Sequence, residues 1–263
     1  MTPRFYDITV AGLLAAFALA LPVWLIIWAN RLRLGRDLWF SILRMALQLL
    51  AIGFVLEYLF EIHIWYVTVG VFVAMVFFAA RTVLARTGIK FGGLTAILGV
   101  AMLAGAGSVS AFLALAVVQV DPWYAPRYFI PLAGMVLGNS MNGCALALER
   151  FYSGVREQRK LVETHLAHGA TGGEATRDLL RSAFRASLIP TLSSMSGIGL
   201  VFIPGMMTGQ ILGGVDPLDA IRYQMVIMMA ILGSVALASF VVLYLERGRF
   251  FDEYHLLRNE LFN

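Results

Sequence analysis

Long apolar runs alternate with short polar ones along the whole chain. Runs of about the twenty residues that a helix needs to cross a bilayer occur at 8–29, 38–60, 63–80, 94–118, 129–148, 189–212 and 223–245. Each predicts a transmembrane helix. A spanning segment must satisfy its own backbone polar groups, and the two-residue alternation of barrel strands is absent from these runs. The first run contains Ala18-Leu19-Ala20, a pattern shared with signal-peptide cleavage sites, but its apolar residues continue through "VWLIIWA" and "NRLRLGR" follows as a stop. It is read as an uncleaved span. The expected fold is an all-α polytopic membrane protein of about seven transmembrane helices, forming one domain over 1–263.

Composition agrees: 60% of the 263 residues are hydrophobic and 14% charged, and the mean hydropathy of +0.80 lies outside the range of ordinary soluble domains. A lone cysteine, Cys144, excludes an intrachain disulfide. Charge sets the expected orientation. Segments 30–37, 81–93, 149–188 and 246–263 hold 3, 3, 7 and 3 Lys/Arg residues, 16 of the 20 in the chain. The alternate segments 1–7, 61–62, 119–128 and 213–222 hold 1, 0, 1 and 1. The positive-inside rule then puts the N-terminus outside and the C-terminus in the cytosol. The expected location is a cell membrane, a bacterial inner membrane by preference, with lipid and no nucleic acid as a partner.

Several chemistries are excluded. No G-x-x-x-x-G-K-[ST] loop occurs, and neither lysine, Lys90 or Lys160, follows a glycine loop, so the chain carries no P-loop ATPase. There is no H-E-x-x-H, and His63, His165, His168 and His255 sit near water-facing ends without clustering. The last span lacks a lysine for a retinal Schiff base. The chain is expected to be non-catalytic and to bind no cofactor of its own.

The longest polar segment, 149–188, carries helix punctuation. Leu161, Val162 and Leu166 share one face of a first helix, and Gly169 is placed to end it in a left-handed cap. Thr171-Gly-Gly-Glu174 matches a capping box, starting a second helix near Gly172 that runs towards Pro190. Arg177, Arg181 and Arg185 line one side of it. The segment reads as a helical elbow leading into the sixth span, or as a plain solvated loop.

"ETHLAHGAT" followed by "LIP" resembles the EAA loop of ABC-transporter permeases, with Thr-His in place of Ala-Ala after Glu163. A closer resemblance rests on "IPLAGMVLGNSMNGCALALERF", "GATGGEATRDLLRSAFRASLIPTLSSMSGIGLVFIPGMMTGQILGG" and "DPLDAIRYQMVIM". Together these are similar to the FetB family of ABC permeases, which includes bacterial iron-export permeases and plant aluminium-tolerance half-transporters. The resemblance implies a permease that pairs with a separately encoded ATPase, which binds the ATP and Mg. It makes Glu163, His165, Gly169, Ala170, Thr171, Glu174 and Arg177 the coupling candidates.

Polar groups inside the apolar runs are the other candidates. "IPLAGMVLGN" and "IPGMMTGQ" each join a proline, glycines and a side-chain amide. Pro131 and Pro204 each remove a backbone donor, and irregular backbone at membrane depth is tolerated where it is buried or lines a cavity. Asn139, Ser140, Asn142, Met195, Ser196, Met206, Met207, Thr208 and Gln210 could line a pathway or act as packing glue. Gly134, Gly138, Gly205 and Gly209 are read as helix-packing positions. In the second span Arg44 and Gln48 share a face. They would either snorkel to headgroups or pair inside the bundle. Glu57 and Glu61 with His63 are weak candidates for an outer cation site.

The expectation is a homodimeric permease subunit of an ATP-driven ABC transporter, exporting a metal ion (iron) or another small solute by alternating access. The rival readings are an ATP-independent channel or secondary transporter, and a membrane-embedded signalling or scaffold subunit.

Overall fold

The computed structural model describes residues 9–62, 64–87, 93–251 and 257. His63 and His255 lie outside the described residues. Contacts divide the described residues into two compact units, those up to Ile62 with Leu212–Gly214, and those from Ile64 to Ile211 and from Val215 onward.

The first unit contains α1 (Val10–Ala18), α2 (Ala20–Ala29) and α3 (Gly35–Glu61). Its helices are apolar on nearly every side, and Leu59 is the one residue buried among them. A helix hydrophobic all round and unburied by its own chain is built to meet lipid or other protein. Arg44, Gln48 and Glu57 are all exposed on α3.

The second unit holds the core. It contains α4 (Trp65–Thr87), α5 (Leu94–Val117), α6 (Pro126–Glu157), α7 (Arg159–Ala167), α8 (Gly172–Ala175), α9 (Arg177–Gly197), all but the last residue of α10 (Gly205–Leu212), and α11 (Pro217–Arg247). Helix α6 is the hub: it packs against α4, α5, α9 and α11. Pro126 starts it at a position where a missing N–H costs nothing. At about 1.5 Å per residue its 32 residues make a rod of ~48 Å, longer than the hydrocarbon layer, so one end projects from the membrane. The predicted span 129–148 lies within it. Pro190, expected at the threshold of the sixth span, lies inside α9.

Among the described residues, six helices are long and apolar enough to cross a membrane. The sixth predicted span, 189–212, is not one continuous helix. Helix α9 stops at Gly197, the backbone turns through Ile198–Pro204 with Gly199 at φ +80°, and α10 begins at Gly205. The turn is closed by Val201 N–H donating to the Gly197 carbonyl (2.9 Å) and Gly199 N–H to the Phe202 carbonyl (3.0 Å). Apolar side chains alone made "GIGLVFIP" read as helix.

Helix α5 departs from regularity in another way. Two of its turns, Leu103–Gly107 and Leu113–Val117, are π-helical. In the first, Gly105 lies against α11. A Cβ there would come within 2.7 Å of the Ala238 backbone nitrogen and 2.8 Å of the Ser234 carbonyl oxygen. Gly143 of α6 meets Val235 of α11 in the same way, at 2.6 Å. These two glycines carry the close helix approaches. Of the four expected packing glycines, a Cβ added at Gly134 would meet Met75 at 3.2 Å, whereas one at Gly138, Gly205 or Gly209 would meet nothing within 4 Å among the described residues. Ser140 bridges α6 to α11 through a hydrogen bond with Ser234.

Candidate functional site

A cavity of about 400 Å³ opens inside the second unit, at the lower end of the range for small-ligand sites. Its walls come from α6, α9, α10, α11 and the turn between α9 and α10, which contributes Ile198, Phe202 and Pro204. The broken sixth segment therefore places irregular backbone where it lines a cavity, the setting in which a membrane protein tolerates it.

The polar wall groups are Asn139 and Asn142 on α6, Ser187, Thr191 and Ser194 on α9, and Gln224 on α11. Asn139 uses its Nδ2 to donate to the Met135 carbonyl (2.8 Å). Asn142 accepts at Oδ1 from Arg86 Nη1 of α4 (2.7 Å). These bonds leave the Asn139 oxygen and the Asn142 nitrogen as the ends available to the cavity. Gln224 is buried at 6% exposure, and its Oε1 has no hydrogen-bond partner among the described residues.

Of the predicted pathway residues, the structure brings Asn139, Asn142 and Met206 together in this wall. Ser140 is buried in the α6–α11 contact instead. Met195, Ser196, Met207, Thr208 and Gln210 are not wall residues. Ser196 and Thr208 hydroxyls bond back to the carbonyls of Leu192 (3.0 Å) and Pro204 (3.1 Å) of their own segments. Gln210 Oε1 is buried without a hydrogen-bond partner among the described residues. Gln224 carried no sequence signal beyond being polar in an apolar run, and Arg86 none beyond its place in the basic segment 81–93. Met135, Met206 and Met228 pack against a cluster of Leu132, Ile227, Ile231 and Val235, which gives them a filling role. Among the described residues no three His, Cys, Asp or Glu side chains gather as a metal cage.

The elbow sits at the other end of α9. Helix α7 ends in a Schellman cap: Gly169, at φ +88°, donates to the Leu166 carbonyl (2.9 Å), and Ala170 donates to that of His165 (3.1 Å). Thr171 then caps α8. Its N–H donates to Glu174 Oε2 (2.8 Å), and the Glu174 N–H donates to Thr171 Oγ1 (3.3 Å). The Thr171 N–H, with help from its hydroxyl and from Arg177, holds the Glu174 carboxyl below the usual carboxylate range. Glu163 pairs with Arg159 at 2.7 Å. Glu163, His165, Gly169, Thr171, Glu174 and Arg177 are exposed and Ala170 is half-buried, so the elbow presents a free surface.

Helix α9 joins the two regions. Leu179, Ala183, Ser187 and Thr191 are buried at intervals of four. The stripe starts apolar, with Leu179 against Gly154 of α6, and ends polar in the cavity wall. Arg177, Arg181 and Arg185 occupy an exposed side. A second brace holds the elbow from below. The Phe251 ring lies on Gly172, where a Cβ would come within 2.5 Å of it. Its neighbour Phe250 packs edge-on against Phe151 (5.0 Å between centroids) and Tyr152 (4.6 Å). Tyr152 donates to the fully buried Glu246 (2.9 Å), which also pairs with Arg249 (3.4 Å).

A cavity with polar groups in a largely apolar wall, a broken helix in that wall and a capped elbow at the foot of that helix define a multi-pass α-helical membrane protein with an internal site. The chain belongs to the UPF0014 family: the model described as "Uncharacterised protein family (UPF0014)" matches residues 10–251. It is 38% identical over 252 residues to UPF0014 membrane protein slr1647 of Synechocystis sp., covering 94% of this chain and 93% of that protein. It is 36% identical to Protein ALUMINUM SENSITIVE 3 of Arabidopsis thaliana, covering 95% and 90% of the two chains. It is 32% identical to "Probable iron export permease protein FetB" of Escherichia coli, covering 96% of each. The resemblance read from the three sequence motifs thus extends over nearly the whole chain. No solved structure matches.

Proposed function

We propose that this chain is the permease subunit of an ATP-driven ABC transporter, in which a separately encoded ATPase docks on the elbow and cargo passes through the cavity. One observation carries the reading: α9 begins beside the capped elbow and reaches the cavity wall at Ser187, Thr191 and Ser194. The coupling surface is Glu163, His165, Gly169, Ala170, Thr171, Glu174 and Arg177. The chain performs no hydrolysis; ATP and Mg belong to the partner. Two copies form the working unit, each with its own elbow and ATPase, around a two-fold axis. Gly138 and Gly209 support this, because each leaves backbone open to a neighbouring helix. The cargo class, a metal ion or another small solute moved outward, follows the name of the Escherichia coli relative.

Orientation is tested first. A cysteine at exposed Val215 is expected to label from outside intact cells, and one at exposed His168 to label after permeabilisation alone; buried Cys144 gives little background. The reverse pattern would place the elbow away from any cytosolic ATPase. The function is tested by co-expressing the chain with a separately encoded Walker-A ATPase from the same genome and reconstituting the pair in vesicles. Iron movement is expected to need ATP and the ATPase together. Equal movement without the ATPase would establish the rival reading, a channel or secondary transporter.

A further inference from the structure

Helix α9 packs against α11, and both have an end at the elbow. Helix α9 starts there, and α11 stops there, with Arg247 Nη1 3.9 Å from where a Cβ at Gly173 would lie. Two helical turns in from Arg177 and Arg247, the rings of Phe184 and Phe240 meet edge-on, 6.3 Å between centroids.

Leading away from the elbow, the outward strips of the two helices change in the same order. On α9, exposed Arg177, Arg181 and Arg185 give way to exposed Ile189 and Leu192. On α11, half-buried Arg247 gives way to exposed Tyr244, Phe240 and Leu237, spaced by three and four along one face. The order runs up the sequence on one helix and down it on the other, so it belongs to a level in the fold. Cations at one level and apolar side chains below it match the boundary between lipid headgroups and acyl chains.

The cations are also placed for a phosphate. The Arg247 guanidinium lies 4.1 Å from the Tyr244 ring centroid, and Tyr244 stacks on Phe240 at 6.1 Å. Arg181 has only an exposed partner, Asp178 at 3.3 Å, and among the described residues no carboxylate pairs with Arg185 or Arg247. A guanidinium fork matches phosphate oxygens. An acidic protein surface would match the arginines alone. Leu192 and Phe240 lie within the predicted spans 189–212 and 223–245, so the complement of the whole strip has an anionic head and an apolar tail.

We propose that the α9–α11 face is a site for an anionic phospholipid, with Arg181, Arg185 and Arg247 around its phosphate and Phe240 and Leu192 along its acyl chains. The lipid ties the elbow end of α9 to α11.

The test titrates the full chain, purified in neutral detergent, with phosphatidylglycerol and follows its melting temperature from each variant's own lipid-free value. Phosphatidylcholine serves as the neutral lipid and glycerol 3-phosphate as the head without chains. Phosphatidylglycerol is expected to raise the melting temperature with a saturable midpoint, and neither control to do so. Arg181→Gln, Arg185→Gln and Arg247→Gln each move the midpoint about fivefold higher, the loss expected for one arginine at an anionic membrane surface. Arg36→Gln, at an exposed arginine of α3, leaves it in place. The proposal is overturned if phosphatidylcholine stabilises as well, if glycerol 3-phosphate suffices, or if Arg36→Gln shifts the midpoint as far, which would mean diffuse surface charge. It is overturned too by a midpoint that ignores the three α9 and α11 variants. Loss of a co-purified ATPase from those variants with the lipid midpoint unmoved would assign the arginines to an acidic protein partner instead. The titrations contain no ATPase, so failure of the coupling model would leave their result standing.

Discussion

Gly105→Leu is expected to yield no folded protein, and Gly105→Ala a chain destabilised by about 1–3 kcal/mol, the usual cost of overpacking a filled contact. A Cβ at Gly105 meets the Ala238 backbone nitrogen at 2.7 Å and the Ser234 carbonyl at 2.8 Å. Those atoms belong to α11 and cannot rotate aside as a side-chain end could. The helices must separate, which also pulls apart the Ser140–Ser234 bond and the Gly143–Val235 contact nearby. Gly138→Ala is the control. Among the described residues outside its own helix backbone, nothing lies within 4 Å of its new methyl group, so its effect should stay within about 0.5 kcal/mol. Thermal unfolding of the detergent-purified variants decides the matter. Equal melting of Gly105→Ala and Gly138→Ala would show that the π-helical turn is not a tight backbone contact of the bundle.

The second large effect is expected at the elbow and is read in coupling, not in folding. Gly169 holds φ +88° while its N–H and that of Ala170 close the end of α7. A β-branched residue resists that conformation, so Gly169→Val strains the turn by on the order of 1–3 kcal/mol. There is open space around a Cβ here, so conformation alone is at stake and the protein should still reach the membrane. The expected result is an ATPase that binds weakly, or that hydrolyses ATP without moving cargo. Glu163→Ala should show a milder form of the same defect, because it removes a docking side chain and leaves the turn intact. Co-purification, ATP turnover and transport in the same vesicles separate these outcomes. Normal coupled transport by Gly169→Val would leave the elbow as an ordinary loop.

The elbow was legible in the sequence because its signals are local. A glycine at a helix end and a Thr/Glu pair three residues apart each act within one turn of backbone, and both form the expected bonds. The apolar spans were legible because solvent exclusion acts on composition. What failed were inferences needing knowledge of neighbours. "GIGLVFIP" is as apolar as a helix and is a turn, because a cavity wall accepts side chains that a membrane helix would also carry. Gly138, Gly205 and Gly209 look like packing positions and face open space in the chain, whereas Gly105 and Gly143 lie at the helix crossings. Spacing along one helix does not say which side meets another. The cavity is similar: Asn139 and Asn142 stood out beside a proline and glycines, but Gln224 is a lone amide that shares the cavity wall with residues of other helices. The predicted outer cation site of Glu57, Glu61 and His63 extends beyond the described residues.

Pro190 gives α9 mechanical properties that a uniform helix would lack. The ring supplies no N–H, so the carbonyl of Ala186 loses its intrahelical donor. The 21 residues of α9 span ~31 Å at about 1.5 Å per residue. A tilt of roughly 10° imposed at Arg177 would displace the far end of a rigid rod that long by about 5 Å. The stiff part, however, ends near Ala186, and Pro190, Thr191 and Ser194 lie beyond the gap in the ladder, on the cavity. The helix is thus a lever with a flexure at its working end. Torque applied at the elbow concentrates as bending between Ala186 and Pro190, and the wall on the far side can swing while α6 and α11 stay locked through Gly143 and Val235.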